Sequence, residues 1–375
     1  MSSALAQVAP ERLHKPGHIP VLDGLRGVAI LLVLMVHSVP HLEGTSTAIA
    51  LLNSLFHCGV FGVDLFFVLS GFLITGILLD SQGSPHYFRS FYIRRVLRLF
   101  PVYYGFLIVM IFVVPAIHQV AQLHVPEYHG SWWWYILYFS NWKMNHDADA
   151  SLGHFWSLAL EEQFYFFWPL TVYLLPRRAL AWWCGVLCAI AVGMRHTLVG
   201  KGIDLYAITP SRMDALVIGA LMALAIRDTI WRERLIRYRK ILGLLTLAGF
   251  VGFVQWNWRF PWNPWSAFFA AAWFGVLVFQ GATHDYGPLY GILNRPLLRN
   301  YGKYSYCIYV IHLVFLDHVK WLSGSLMSNR MPIAGLLLIV LVILAANVVI
   351  YWVARTSWQY YEAPILRLKD RLAPV

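Results

Sequence analysis

The chain has 375 residues, of which 59% are hydrophobic and only 13% are charged, and its mean hydropathy is +0.59. This composition excludes a water-soluble domain, in which about a quarter of the residues are charged. The formal net charge of +11 would suit nucleic acid, but the basic residues lie in short segments between long apolar stretches. We therefore expect contact with membrane lipids and no nucleic-acid partner.

Ten membrane helices are predicted along the chain, so the predicted fold class is an all-α, polytopic integral membrane protein. Their ranges are 21–42, 56–79, 99–118, 153–175, 179–199, 213–227, 240–258, 264–283, 301–322 and 332–354. With the N-terminus placed in the cytoplasm, the inner segments hold 21 of the 29 Lys and Arg residues, the bias typical of cytoplasmic loops.

The chain is expected to form one membrane domain over residues 1–375. Residues 1–20 contain no apolar core of a cleavable signal peptide, so we expect them to be a cytoplasmic N-terminal segment. By the same orientation, residues 362–375 are expected to be a cytoplasmic tail without an appended soluble module.

The first predicted helix, "LDGLRGVAILLVLMVHS", holds two ionisable residues that are costly in hydrocarbon. Arg26 and His37 are eleven residues apart, so they share a helix face and lie about 16 Å apart along its axis. Asp23 stands one turn before Arg26 and can pair with it. Either Arg26 extends its side chain to the interface while His37 hydrogen-bonds within the bundle, or the two residues mark the ends of one site.

Polar residues also accompany the second and third predicted helices. Asp64 lies in the outer half of the second helix, followed by Ser70. Arg94, Arg95 and Arg98 cluster in "FYIRRVLRLFPVYY", at the cytoplasmic mouth of the third predicted span, and their spacing puts Arg94 and Arg98 on one helix face. Guanidinium groups bind phosphate oxygens in pairs, so this cluster suits a phosphate-bearing ligand. Ordinary anchoring of the helix at the cytoplasmic surface is the alternative.

The fourth predicted helix, "FWSLALEEQFYFFWPL", carries two adjacent carboxylates near the expected level of His37. Glu161 and Glu162 point about 100° apart, so only one can face a shared site directly. Ser157, Glu161 and Tyr165 form a stripe along one face. Carboxylates in a membrane helix indicate function by default, with His37 as the expected partner.

Other candidate residues lie further along the chain. His312, in "YSYCIYVIHLVF", is expected at mid-membrane, where it either hydrogen-bonds in the core or lines the site. Trp-rich segments at predicted outer ends suit the headgroup layer or a sugar surface. The longest outer loop, 119–152, could cap a cavity. The four cysteines have no metal-binding spacing, so no metal is expected.

When the polar residues are ordered by their expected depth in the membrane, the arginines lie at the cytoplasmic side and the His, Glu and Asp side chains lie in the outer half. This order predicts a basic inner vestibule that leads to an outer His/Glu/Asp cluster. A phosphate-bearing donor would dock inside and an acceptor would arrive from outside, with His37 and a carboxylate removing a hydroxyl proton. A proton-coupled transporter is an alternative, because such residues also build proton relays. A scaffolding protein would leave the membrane carboxylates unexplained.

Six segments occur together, in order, as in one known family: "LDGLRGVAILLVLMVHS", "GVDLFFVLSGFLIT", "FYIRRVLRLFPVYY", "HFWSLALEEQFYFFWP", "RMDALVIGALMA" and "YSYCIYVIHLVF". The chain thereby resembles the membrane-bound acyltransferase-3 proteins over nearly its whole length. The resemblance implies transfer of an acyl group, often acetyl, from cytoplasmic acyl-CoA as co-substrate, without a bound cofactor. The implied acceptor is a hydroxyl of an extracytoplasmic sugar or glycolipid. Acceptors in the family include O-antigen, exopolysaccharide, peptidoglycan, lipid-linked sugars and macrolides.

The resemblance also assigns roles to individual residues. The essential Arg and His of the family match Arg26 and His37, the Arg-x-x-Arg motif matches Arg95 and Arg98, and the acidic position falls on Glu161 or Glu162. It implies a bacterial inner membrane. Some relatives carry a C-terminal extracytoplasmic hydrolase-like domain. No such domain is expected in this chain, so we expect that it either acts alone or transfers the acyl group to a separate protein.

Overall fold

The structure is a computed structural model that describes residues 19–38, 53–116, 130–143, 152–201, 205–256, 263–284, 287–328 and 333–373. Every regular element in these ranges is helical. The helices are α1 (Pro20–Ser38), α2 (Phe61–Asp80), α3 (Tyr87–Ile108), α4 (Trp133–Ile136), α5 (Ser140–Lys143), α6 (Phe155–Leu174), α7 (Arg177–Leu198), α8 (Met213–Arg227), α9 (Thr229–Trp256), α10 (Pro264–Thr283), α11 (Pro288–Leu293), α12 (Pro296–Ser328), α13 (Ile333–Ser357), α14 (Ala363–Leu366) and α15 (Lys369–Leu372).

The helical, membrane-embedded fold class is confirmed, and each predicted span overlaps a helix. Six helical stretches are long and apolar enough to cross a bilayer: Pro20–Ser38, Asn53–Asp80, Tyr87–Ala116, Arg177–Leu198, Pro264–Thr283 and Val340–Leu372. Helix α6 is long enough but not apolar enough, because it contains Glu161, Glu162 and Gln163, and α8 has only 15 residues, so neither meets those criteria. The count of ten spans therefore stays a prediction.

The segment that carries Arg94, Arg95 and Arg98 is helical, as their spacing predicts. Helix α3 begins at Tyr87, upstream of the predicted span 99–118, and continues through Pro101. The three arginines therefore lie in the basic first half of the same helix. The guanidinium groups of Arg95 and Arg98 stack over rings of other elements.

Glycines allow the central helices to pack with their backbones in contact. Helices α1 and α12 form an extensive contact, and a Cβ at Gly27 or Gly302 would overlap the backbone of the facing element. Helices α2 and α8 cross in the same way at Gly71 and Gly219. Small residues at such crossings are typical of membrane helix pairs. These two contacts fix the positions of the polar side chains described next.

Candidate active site

Three imidazole rings meet where α1, α6 and α12 approach each other. His37, near the end of α1, places its Nδ1 2.9 Å from the Val33 carbonyl and 3.3 Å from Nε2 of His312. The His37 and His312 rings are edge to face with centroids 4.9 Å apart, and His154 packs against His312 at the same separation. His312 and His154 are buried, whereas His37 is partly exposed. We call these three residues the histidine cluster.

A line of hydroxyl groups continues from the histidine cluster along α6. The hydroxyls of Ser157 and Tyr309 lie 2.5 Å apart, so one donates to the other, and both lie within hydrogen-bonding distance of the carbonyl of His154, at 3.1 and 3.0 Å. One turn further along α6, Ser70 of α2 donates to Oε1 of Glu161 at 2.7 Å and accepts from the Tyr165 hydroxyl at 2.8 Å. The predicted stripe on α6 therefore faces inward, towards α2 and α12.

Three arginines lie at the far end of this line. The Arg95 guanidinium stacks over the Tyr165 ring at 4.3 Å, and that of Arg98 over the Trp358 ring at 5.1 Å. Arg26 is 3.8 Å from Asp23 and lies within electrostatic reach of Arg95 and Glu161. All three arginines are partly exposed, so a ligand can reach them. We call Arg26, Arg95 and Arg98 the arginine cluster.

The two clusters and the hydroxyl line form one polar column between α1, α2, α3, α6 and α12. Tyr165 is eight positions after Ser157 on α6, which is about 12 Å along the helix. Such a column inside a membrane domain is costly unless its groups are paired or bind a ligand. The column is therefore the candidate active site.

Two predicted site residues have partners outside this column. Asp64 pairs with Arg212 at 3.1 Å, and Arg94 donates two hydrogen bonds to the Ala373 carbonyl. Glu162 lies beside the column, within electrostatic reach of Arg95 and of Tyr104 on α3. The ring that His37 contacts is that of His312, while Glu161 hydrogen-bonds to Ser70. The roles assigned to these residues stay predictions.

The structure shows a second buried polar group that the sequence reasoning missed. Arg195 donates two hydrogen bonds to Asp214, at 2.9 and 2.6 Å, beside the Asp64–Arg212 pair. All four side chains are buried, and the Arg212 guanidinium also contacts the Tyr206 ring at 5.0 Å. Each arginine is far in sequence from its carboxylate, so local spacing does not reveal these pairs. We call this group the ion-pair cluster.

His154 and Tyr309 were also missed as site residues. Both occur in quoted motifs, and the available signal was the three-residue spacing of His154 from Ser157 and of Tyr309 from His312. The described residues contain no group of three His, Cys, Asp or Glu side chains that could hold a metal ion. Most of the predicted capping loop, 119–152, lies outside the described residues.

Comparison with known proteins identifies the family. A family model described as an acyltransferase domain matches residues 19–352. "Putative peptidoglycan O-acetyltransferase YrhL" of Bacillus subtilis (strain 168) is 35% identical over 231 residues, covering 56% of this chain and 34% of that protein. "O-acetyltransferase OatA" of Staphylococcus aureus (strain NCTC 8325 / PS 47) is 27% identical over 386 residues, covering 95% of this chain and 58% of that protein.

These relatives are longer than this chain, which spans between a third and three fifths of their length. No solved structure matches the chain significantly. The family model covers most of the sequence, including every residue of the polar column except Trp358, over which Arg98 stacks. The chain therefore belongs to the membrane-bound acyltransferase-3 family.

Proposed function

We propose that the protein is a membrane O-acetyltransferase that moves an acetyl group from acetyl-CoA to a hydroxyl of an extracytoplasmic carbohydrate. The observation that carries this proposal is the polar column, in which a partly exposed histidine and three partly exposed arginines stand at opposite ends. Acetyl transfer across a membrane needs a donor-binding site on one side and an acceptor-binding site on the other, and the two ends of the column suit these two sites.

The arginine cluster suits the phosphates of the donor. Among the described residues, neither Arg95 nor Arg98 forms an ion pair with a carboxylate; both guanidinium groups stack on rings instead. Their N–H groups stay available for phosphate oxygens, which guanidinium binds in pairs. Glu161 and Ser70 lie next along the column and would border the donor between its phosphates and its thioester.

The histidine cluster suits the acceptor hydroxyl. His37 would take the hydroxyl proton while the hydroxyl oxygen attacks the thioester carbonyl carbon. The carbon–sulfur bond then breaks, and the thiolate takes the proton back from His37, which gives the ester and free CoA. A covalent acyl-His37 intermediate is the other route open to imidazole. Acetyl-enzyme trapped on His37 in the absence of acceptor would favour that route over the general base.

The proposed acceptor class follows from the names of the relatives, one of which specifies peptidoglycan. The proposed orientation places both termini in the cytoplasm of a bacterial inner membrane. Reporter fusions after Gln82 and Trp231 should then give cytoplasmic signals, and fusions near residues 147 and 202 extracytoplasmic ones. An extracytoplasmic signal at Trp231, in the most basic predicted loop, would contradict this orientation.

The transfer itself is tested with the full chain in lipid vesicles, supplied with labelled acetyl-CoA and separate carbohydrate acceptors. Peptidoglycan fragments, de-O-acetylated polysaccharide and a glycolipid form the acceptor panel. We expect base-labile label on at least one acceptor, its loss in His37→Ala, and its retention in His196→Ala, which changes an exposed histidine on α7. Proton flux without transfer to any acceptor would instead support a transporter.

A further inference from the structure

His312 lies directly behind His37 and is fully buried, so it is placed to act on His37 and not on a substrate. Its Nδ1 is 2.6 Å from the carbonyl oxygen of Tyr309. A carbonyl only accepts hydrogen bonds, so Nδ1 of His312 must carry the proton. In the neutral ring, Nε2 of His312 then presents a lone pair towards His37.

The same reasoning assigns the tautomer of His37. Its Nδ1 faces two acceptors, the Val33 carbonyl at 2.9 Å and the His312 Nε2 lone pair at 3.3 Å. Only a protonated Nδ1 satisfies both. A proton on His312 Nε2 instead would leave the His37 Nδ1 lone pair facing the carbonyl oxygen of Val33, which is repulsive. The lone pair of neutral His37 is therefore on Nε2.

We propose that His312 is a positioning residue that, together with the Val33 carbonyl, holds His37 in the Nδ1–H tautomer and that also stabilises the imidazolium form of His37. This inference rests on the proposed function, in which His37 accepts the acceptor hydroxyl proton. Nε2 of His37 takes that proton, and the resulting positive charge is shared through the Nδ1–H bond to His312. When the thiolate leaves, the proton on Nε2 passes to its sulfur and His37 returns to the neutral tautomer.

His154 supports this arrangement from the opposite side. Its ring packs edge-on against His312, and its Nε2 donates to the Val310 carbonyl at 3.1 Å. The carbonyl of His154 in turn lies within hydrogen-bonding distance of the hydroxyls of Ser157 and Tyr309. His312 is thus held between two rings and its own helix backbone, which limits its freedom to turn away from His37.

The tautomer can be measured without any substrate. In the full chain labelled with ¹⁵N-histidine, the His37 signals are identified by their disappearance in His37→Gln, and couplings to the ring protons show which nitrogen is protonated. We expect Nδ1–H in the native protein and in His312→Gln, whose amide oxygen can still accept. In His312→Phe only the Val33 carbonyl still accepts, so we expect a larger fraction of the Nε2–H tautomer. A predominantly protonated Nε2 in the native protein, or the native tautomer ratio in His312→Phe, would overturn the inference.

Kinetics in the same vesicles give a second readout. We expect His312→Phe to lower kcat by about 100-fold or more, within the range of general-base catalysis, and His312→Gln by about tenfold. The KM for acetyl-CoA should stay within about twofold in both, as in the exposed control His196→Gln. Equal losses of kcat in His312→Phe and His312→Gln, or a raised KM for acetyl-CoA, would indicate that His312 has only a structural role. If the native protein transfers nothing, the proposed function fails, and the tautomer experiment still decides the role of His312.

Discussion

The ion-pair cluster and the arginine cluster show two opposite ways in which this membrane domain holds arginine. Arg195 and Arg212 are at most 1% exposed and each meets a carboxylate, at 2.6 and 3.1 Å. Arg95 and Arg98 are partly exposed, stack on rings and form no ion pair with a carboxylate of the part of the chain that the structure describes. A buried arginine without a carboxylate partner would destabilise the fold, whereas a partly exposed arginine needs no such partner and is accessible to a ligand. The first cluster therefore ties helices together, and the second suits a phosphate-bearing donor.

Removing one member of the ion-pair cluster should have the largest effect. Asp214→Ala leaves the guanidinium of Arg195 buried without its carboxylate, which is expected to cost about 3–5 kcal/mol of stability. The melting temperature and the yield of folded protein in detergent measure this loss. The matched control is Asp80→Ala, because Asp80 pairs with Arg227 but is 60% exposed, and such pairs contribute about 0–1 kcal/mol. Similar melting temperatures for the two variants would show that the ion-pair cluster is not a structural tie.

Removing an arginine from the arginine cluster should affect donor binding and leave the fold intact. Arg95→Ala or Arg98→Ala loses a charge-assisted contact worth about 1.5–3 kcal/mol, or roughly ten- to a hundredfold in affinity for acetyl-CoA. Titration calorimetry on the detergent-purified chain measures the affinity. Arg89→Ala is the matched control, since Arg89 lies on the same helix but is exposed. Equal affinities for acetyl-CoA in all three variants would indicate that these arginines anchor the helix at the membrane surface and do not bind the donor.

Much of the helical framework could be predicted from sequence, because helix ends carry local signals. The range predicted for α10 agrees with Pro264–Thr283, where the Asn263 side chain accepts from the backbone N–H groups of Trp265 and Ser266 and so caps the helix. Helix α3 begins upstream of the third predicted span, because hydropathy marks only the apolar part of a helix and not its basic first half. The rings over which Arg95 and Arg98 stack, Tyr165 and Trp358, belong to other elements, so local sequence does not reveal these contacts.

The candidate site shows the same limit. Spacing predicted that Ser157, Glu161 and Tyr165 share a face of α6, and the structure confirms this geometry. Which side chains would meet that face depends on the packing of separate helices. Sequence reasoning therefore paired His37 with a glutamate, whereas the close contact of α1 with α12 places His312 there.

Removing the hydroxyl of Tyr165 should have the smallest effect. This hydroxyl lies between the arginine cluster and the histidine cluster, where it donates to Ser70. Tyr165→Phe keeps the ring under Arg95 and removes only the hydrogen bond to Ser70, a neutral bond worth about 0.5–1.5 kcal/mol. We expect kcat/KM to fall by about two- to tenfold. Tyr165→Leu also removes the ring and should weaken donor binding as well. A Tyr165→Phe variant as impaired as Tyr165→Leu would show that the stacking does not hold Arg95 in place.

The central claim is that donor binding and proton removal take place at opposite ends of one column. The most direct test measures acetyl-CoA affinity and acetyl transfer in the same preparation of His37→Ala. The account predicts that transfer is lost while affinity stays within a few-fold of the native protein, because the arginine cluster lies about 16 Å along α1 from His37. Near-native transfer, or a loss of donor affinity as large as in Arg95→Ala, would contradict it.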